Sequence, residues 1–415
     1  MKKIPIVLGA IIASAALVLS GCSGSPSSNG SSSSGPTTLN WTMWGNTPPE
    51  IATLKHLAGL VQKKYPEITV KVQTMAWPDY WTKLPTLLVG GNAPCLIGMQ
   101  MGHVSEFKDS ILPLDSKLAS VGNKPAEFDP GIMRALQVDS KQLAVPYDLG
   151  PIIMYYNKDK FKAAGLSEPQ NGWKIDEFVT DAKKLTSGAD YGFAVDNSIE
   201  AIQQWGPTLV GKLAVTAKGK LDVDNPEIAS ALKWYAGLVN KEKVAAPLIA
   251  SAMSTAGTAF LGGTAAMYTD GPWSMINVKQ QAKFNVGVVT VPAGPEGVAG
   301  PIEGSGYAIN TKCGTPDAAL KALSVITGPE ALAYQGDQGR AYPARLAQQA
   351  SWYKNAVDGA QATLEAATKG GVPYRATATW TQDTLNWTQG VVPVINGAAP
   401  VRAFLKNAQS QSASQ

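Results

Sequence analysis

The rhythm of apolar positions changes several times along the chain. Ile4 to Leu19 is a nearly uninterrupted apolar run behind Lys2 and Lys3. It is too short for a comfortable bilayer span and ends in small residues, the form of a cleaved export signal over residues 1–21. Residues 23–38 are almost entirely Ser, Gly, Pro, Asn and Thr. Such a segment cannot bury enough surface to offset its ordering entropy, so 22–38 is expected to be a flexible tether, on the order of 20 Å long. Regular periodicity begins after it. Thr38–Trp44 reads as a strand running into Gly45-Asn46, and Pro48-Pro49 open a helix with Ile51, Leu54, Leu57, Ala58 and Val61 at helical spacing. Ile68–Gln73 alternates strictly as a second strand, 81–89 is helical, and Leu96–Met99 is a short buried strand. This order predicts an α/β layer with a mainly parallel sheet, whose ligands bind beyond the carboxyl ends of the strands. Those ends are Trp44–Asn46, the Met75–Trp77 turn and Met99–His103.

From Leu143 the pattern restarts. Strands are expected at 152–156, 191–195, 265–269 and 284–289, and helices from Asn157 and at 173–185, 198–210, 226–240 and 272–282, with a mostly helical remainder from Thr315. About 375 residues after the tether are too many for one core and suit two lobes.

Composition narrows the chemistry. The formal charge of +4 falls to about +2 once Lys2 and Lys3 leave with the signal, and no dense basic run remains, which argues against nucleic acid. No later stretch approaches eighteen apolar residues. Eleven tryptophans stand against two histidines, His56 and His103, which disfavours metal clusters and Ser-His-Asp machinery. Gly90-Gly91 and Gly262-Gly263 lack the Gly-Lys-Ser/Thr ending of a phosphate loop. No cofactor, metal or catalytic residue is expected. Cys95 and Cys313 are an even pair in an exported chain, either bonded or two small buried hydrophobes.

Two resemblances go further. Leu19-Ser20-Gly21-Cys22 resembles a bacterial lipoprotein signal, which implies that Cys22 becomes a lipid-modified, acylated N-terminus. The alternative is a secretory signal followed by a chance cysteine. A second set of stretches resembles the extracellular solute-binding proteins of carbohydrate ABC importers. These are 63–70 (Lys-Lys-Tyr-Pro-Glu-Ile-Thr-Val), 90–94 (Gly-Gly-Asn-Ala-Pro), Val145–Asp148 with Tyr155–Asp159, and Phe161–Leu166. Phe260–Met267, Gly271-Pro272-Trp273, Val291–Gly297 and Gly306–Asn310 complete it. Each is weak alone, but in this order they span essentially the whole mature chain.

The resemblance implies a two-lobed periplasmic-binding-protein fold with a hinge of crossing segments. The first lobe would be 39–147 plus 307–352 and the second 148–302 plus 355–412, with crossings near 147–152, 301–306 and 353. It implies a monomeric binding protein, not an enzyme, that captures a di- to tetrasaccharide and delivers it to an ABC permease from a lipid anchor, on a Gram-positive surface or facing a periplasm. A polyamine, a glycerol phosphate ester, or an anchored glycosidase with paired carboxylates are the alternatives. Where the family usually has Ala-Pro-Asp this chain has Ala93-Pro94-Cys95, and the family's antiparallel neighbour strand 307–310 would set Cys95 beside Cys313, implying a structural disulfide.

A sugar site needs flat aromatic platforms and polar groups around the ring edge. Trp273 matches a family platform from the second lobe. Trp387 has the spacing of another, with Trp380 its rival, and Trp205 is a further candidate whose alternative is a helix–sheet contact. Trp44, Asn46 and Trp77 lie at strand ends, Asn46 fitting a loop acceptor. Asp148 lies in a crossing, Gln100 and His103 follow the Leu96–Met99 strand, and Asp270 either accepts a hydroxyl or caps the next helix. Arg345 is a candidate against an ordinary surface arginine. Trp41, Trp173, Trp234 and Trp352 are expected in cores, and His56 on a solvated helix face.

Overall fold

A computed structural model describes residues 35–119, 122–249, 254–297 and 300–413. The export signal, Cys22 and the tether up to residue 34 lie outside the described residues. The tether's expected end at residue 38 overlaps the first strand, which begins at Thr37.

Strands run in chain order as β1 (Thr37–Trp44), β2 (Ile68–Met75), β3 (Leu96–Gln100), β4 (Gln137–Val138) and β5 (Lys141–Gln142). Then follow β6 (Val145–Pro151), β7 (Ile153–Asn157), β8 (Met267–Asp270), β9 (Val286–Thr290), β10 (Gly300–Ile309) and β11 (Gly371–Pro373). β1 lies between β2 and β3 and is parallel to both, as the strand–helix–strand rhythm predicts. Its last residues are buried on both faces, since helices cover the sheet on either side. β3 continues into an antiparallel pairing with β10, which also pairs with β6 and, at its other end, with β11. The second sheet is β8-β7-β9, antiparallel throughout.

Two groups of buried side chains define the lobes. One core draws on residues 39–149 and 302–344. The other draws on 153–289 and 352–408, divided by β7, which turns Met154 and Tyr156 to one side and Ile153 and Tyr155 to the other. β6 and β10, paired antiparallel, run from one core to the other and form the hinge floor. The strand expected at 191–195 is not a ladder. Tyr191, Phe193 and Ala194 donate to Thr264, Val244 and Met267 respectively, so the segment is shared among several partners and makes only isolated bridges. Gly192 lies so close to the Ala182 backbone that a side chain would collide with it. Trp352, expected to close the first lobe, packs with the second core and donates its Nε1 to the Pro272 carbonyl at 3.2 Å. The chain therefore leaves the first core soon after Ala344.

Cys95 and Cys313 are bonded, with Cα atoms 4.6 Å apart. β3 begins just after Cys95, opposite Ile309 of β10, which is the juxtaposition the family resemblance implies. Among the described residues no helix is long and apolar enough to cross a membrane.

Candidate functional site

A cleft of about 530 Å³ lies between the two cores. The first lobe reaches it through the carboxyl ends of its parallel strands, where backbone ladders stop and side chains become free. Trp44 ends β1, Trp77 opens the helix Trp77–Val89 two residues after β2, and Gln100 ends β3. Trp77 and Pro78 start that helix four residues earlier than its apolar rhythm suggests, which brings Trp81 onto the cleft as well. The rings of Trp44, Trp77 and Trp81 meet edge-on or tilted at 5.0–5.6 Å, and His103 stacks flat on Trp81 at 3.5 Å. Trp77 alone of this group is well exposed, at 40%. It is the face a ligand would meet. Burial lowers the His103 pKa against the opposing pull of Glu106, so its ring is neutral around pH 7. Gln100 turns its Oε1 back to accept from Gly102 N–H at 2.6 Å.

Across the cleft, Trp273 is half-buried and tightly held. Its Nε1 donates to Asp270 Oδ1 at 2.7 Å, which also accepts from Gly271 N–H at 2.7 Å, while Ser274 donates to Oδ2. Gly271 is required here, because a Cβ would stand about 2.3 Å from the indole. Asp270 thus positions the platform and keeps little free capacity for a sugar hydroxyl.

The floor comes from the hinge. A register shift between Ser305 and Gly306 pairs Ser305 with Asp148 and Gly306 with Pro146, leaving Tyr147 as an extra residue. Such a bulge breaks strict alternation, and both Tyr147 and Asp148 line the cleft. Arg340 arrives from the first lobe just after Gly339, whose φ of 77° ends the helix Pro329–Gln338 in a left-handed turn. It is buried and reaches toward the Trp44 carbonyl. Asp148 Oδ1, Arg340 Nε, Gln204 Nε2 and Trp81 Nε1 all belong to cleft-lining residues, and none has a hydrogen-bond partner among the described residues. Buried polar atoms are normally paired, so these four leave unused hydrogen-bonding capacity beside the cleft.

Burial pushes the Asp148 carboxyl up to about 7 despite the Arg340 charge. It likewise pushes Glu200 up to about 7 and Asp270 to about 6. These groups hold protons more strongly folded than unfolded. Their contribution to stability is therefore full below an unfolded carboxyl value of about 4 and is lost as the pH rises toward 7. His103, lowered by burial, acts oppositely, losing stability as the pH falls through its range. Glu303 is raised in the same way, so the carboxyls outweigh the one imidazole: the melting temperature of ligand-free protein should fall between pH 5 and 7.5, and Asp148→Asn should flatten that fall. A melting temperature that is level or rising over this interval would contradict the assignment.

Several expected site residues lie elsewhere. Trp205 is buried among Phe178, Phe193 and Trp234, because its helix turns Glu200, Ala201 and Gln204 to the cleft and Trp205 to the core. Trp380 and Trp387 are core residues for the same reason. They share a face with Val391 and Val394, while Thr381, Thr384 and Thr388 face the cleft. Arg345 is buried outside the cleft, donating to the Thr327 carbonyl, Asn123 and Glu127 and lying 4.4 Å over the Phe128 ring. Asn46 is exposed, its N–H directed to Glu50, and does not line the cleft. Trp41, Trp173 and Trp352 are core residues, Trp234 is partly buried against a core, and exposed His56 stacks on Tyr334. Trp81, Tyr147, Glu200, Gln204, Glu303 and Arg340 line the cleft without having been singled out.

A two-lobed α/β body with a ligand-sized cleft over its hinge defines the class of a solute-binding protein. The chain belongs to the bacterial extracellular solute-binding protein family, whose profile matches residues 61–361. It is 27% identical over 268 residues to a maltodextrin-binding protein of Bacillus subtilis, covering 57% of this chain and 56% of that one. To a putative binding protein of Brucella abortus it is 26% identical over 248 residues, covering 57% and 58%. The chain spans less than three-fifths of the length of these relatives. An ABC substrate-binding protein of Listeria monocytogenes, solved in complex with cycloalternan, matches with a TM-score of 0.83 at 22% identity, over 91% of this chain and 98% of that chain. At that identity the likeness establishes the fold.

Proposed function

We propose that this protein is a non-catalytic, monomeric substrate-binding protein that closes its lobes on an oligosaccharide and delivers it to an ABC importer. The observation that carries this reading is the pairing of Trp77 on one wall with Trp273 on the other, above a floor of unpartnered polar atoms. Indoles accept the C–H faces of sugar rings, and the polar atoms between them answer hydroxyls and ring oxygens. The Bacillus relative is named for maltodextrin and the Listeria protein was solved with cycloalternan, which agrees with an oligosaccharide ligand. Contacts made by both lobes favour the closed state, the form a permease would recognise. Titrating di- to tetrasaccharides while following tryptophan fluorescence tests the reading, and silence across the panel would sink it. Turnover of the sugar without any permease would point instead to an enzyme. Lipidation of Cys22 belongs to the same proposal: Cys22→Ala should move the protein from the membrane fraction to the medium, and unchanged membrane retention would refute it.

A further inference from the structure

The charge of the cleft is opposite to that of the molecule. The whole chain is formally +4. Yet the described residues lining the cleft include Asp148, Asp196, Glu200, Asp270 and Glu303, against the single guanidinium of Arg340 and no lysine. Two further acids on the first-lobe side are already engaged, Glu50 by Thr47 and Asp79 by Lys83. Asp270 is occupied by Gly271, Trp273 and Ser274, and Asp196 accepts from Ser198 N–H. Asp148, Glu200 and Glu303 are bonded to neutral groups, Ser305 and Tyr147, Ser198, and Gln100 respectively, and none is in a salt bridge among the described residues. They converge from β6, from the first turn of the helix Ile199–Val210 and from β10.

Glu303 is at the centre of the imbalance. Burial raises its carboxyl well above the ordinary value, and the charges of Glu200, Asp270 and Asp148 raise it further. Arg340 offsets Asp148 only in part. Asp148 lines the cleft while only 3% exposed, and no cationic side chain among the described residues is bonded to its carboxyl. A neutral ligand would leave these buried acids protonated, whereas a ligand that brings its own cation stabilises their charged forms and gains ion pairs in a low-dielectric site.

The same cleft says what else the ligand must carry. Trp81 Nε1, Gln204 Nε2 and Arg340 Nε are unpartnered donors and need acceptor oxygens, which an aliphatic polyamine lacks. Trp77 and Trp273 present flat surfaces suited to rings. Resting on the sugar-binding reading above, we infer that the ligand is an oligosaccharide bearing a basic nitrogen, an amino sugar whose ammonium lies among Asp148, Glu200 and Glu303.

The test compares three probes by calorimetry at about pH 7 on the folded, delipidated protein: the β-1,4 glucosamine trimer, its fully N-acetylated counterpart, and maltotriose. The glucosamine trimer should bind at least tenfold more tightly than either neutral trisaccharide, as expected for a charge-assisted bond in place of a neutral one. Glu303→Gln should bring that ratio toward one, and Glu200→Gln provides the same readout should the first variant not fold. A neutral trisaccharide that binds as tightly as the amine, or more tightly, overturns this inference and leaves the sugar reading standing. Spermidine binding with all three sugars silent overturns both.

Discussion

Replacing Cys95 and Cys313 together with serine is expected to lower the unfolding free energy by roughly 5 kcal/mol, the chain-entropy value for a loop of this size. The two cysteines are 218 residues apart, and the closed loop contains most of the second lobe. If that lobe stays folded while the first opens, its residues do not lengthen the effective loop. The dependence is logarithmic, so this reduces the effect by only about 1 kcal/mol. At about 2 cal/mol/K of unfolding entropy per residue, the melting temperature of a body this large should drop by roughly 6 °C. The bridge is well placed for this role. Cys95 N–H donates to the Asn40 carbonyl at 3.0 Å, and Asn310 N–H donates to the Cys95 carbonyl at 3.0 Å, so the staple joins β1, β3 and β10 where the sheet is already continuous. It sits at the amino end of β3, whereas the cleft is at the carboxyl end, so ligand affinity should stay within about twofold. Scanning calorimetry of the double variant checks this, and a drop below about 2 °C would mean that the loop constraint contributes little.

What could be read from the residues follows from which physical rule governed them. The first three strands and their helices carry uninterrupted apolar periods, and the carboxyl ends of those strands bring Trp44, Trp77, Gln100 and His103 to the cleft lining. On the later helices periodicity, and not residue identity or family spacing, decides where the tryptophans lie. Trp387, Val391 and Val394 recur at helical spacing, and that face is the core. Glu303 and Arg340 reach the cleft through a crossing strand and a left-handed turn, and neither leaves a periodic trace. Arg340 and Arg345 lie five residues apart in one loop, and only the packing of Arg345 against Phe128 and Thr327 separates a buried staple from a cleft-facing guanidinium.

The second large effect should come from Trp273. A tryptophan buries on the order of 150–250 Å² in a full contact, and a half-buried indole offers a ligand about 60–100 Å² of it. At about 25 cal/mol per Å², losing that face costs roughly 1.5–2.5 kcal/mol, so Trp273→Ala should weaken oligosaccharide binding by about 10- to 70-fold. Asp270 separates platform from positioning. Asp270→Ala removes the acceptor shared by the indole and Gly271 N–H, and should reproduce much of the loss although Asp270 itself has little capacity to touch the sugar. Asp270→Asn keeps one acceptor oxygen and should recover most of the affinity. Trp387→Phe provides the contrast: it should lower the melting temperature and leave affinity unchanged, because that ring packs on Phe404 within the second core. Calorimetric titration of the four variants decides the matter. If Trp273→Ala binds as tightly as the parent, the indole is a packing residue and the aromatic surface must come from Trp77 alone. If Asp270→Asn and Asp270→Ala weaken binding equally, the carboxylate's charge acts on the ligand directly and its hold on Trp273 is incidental.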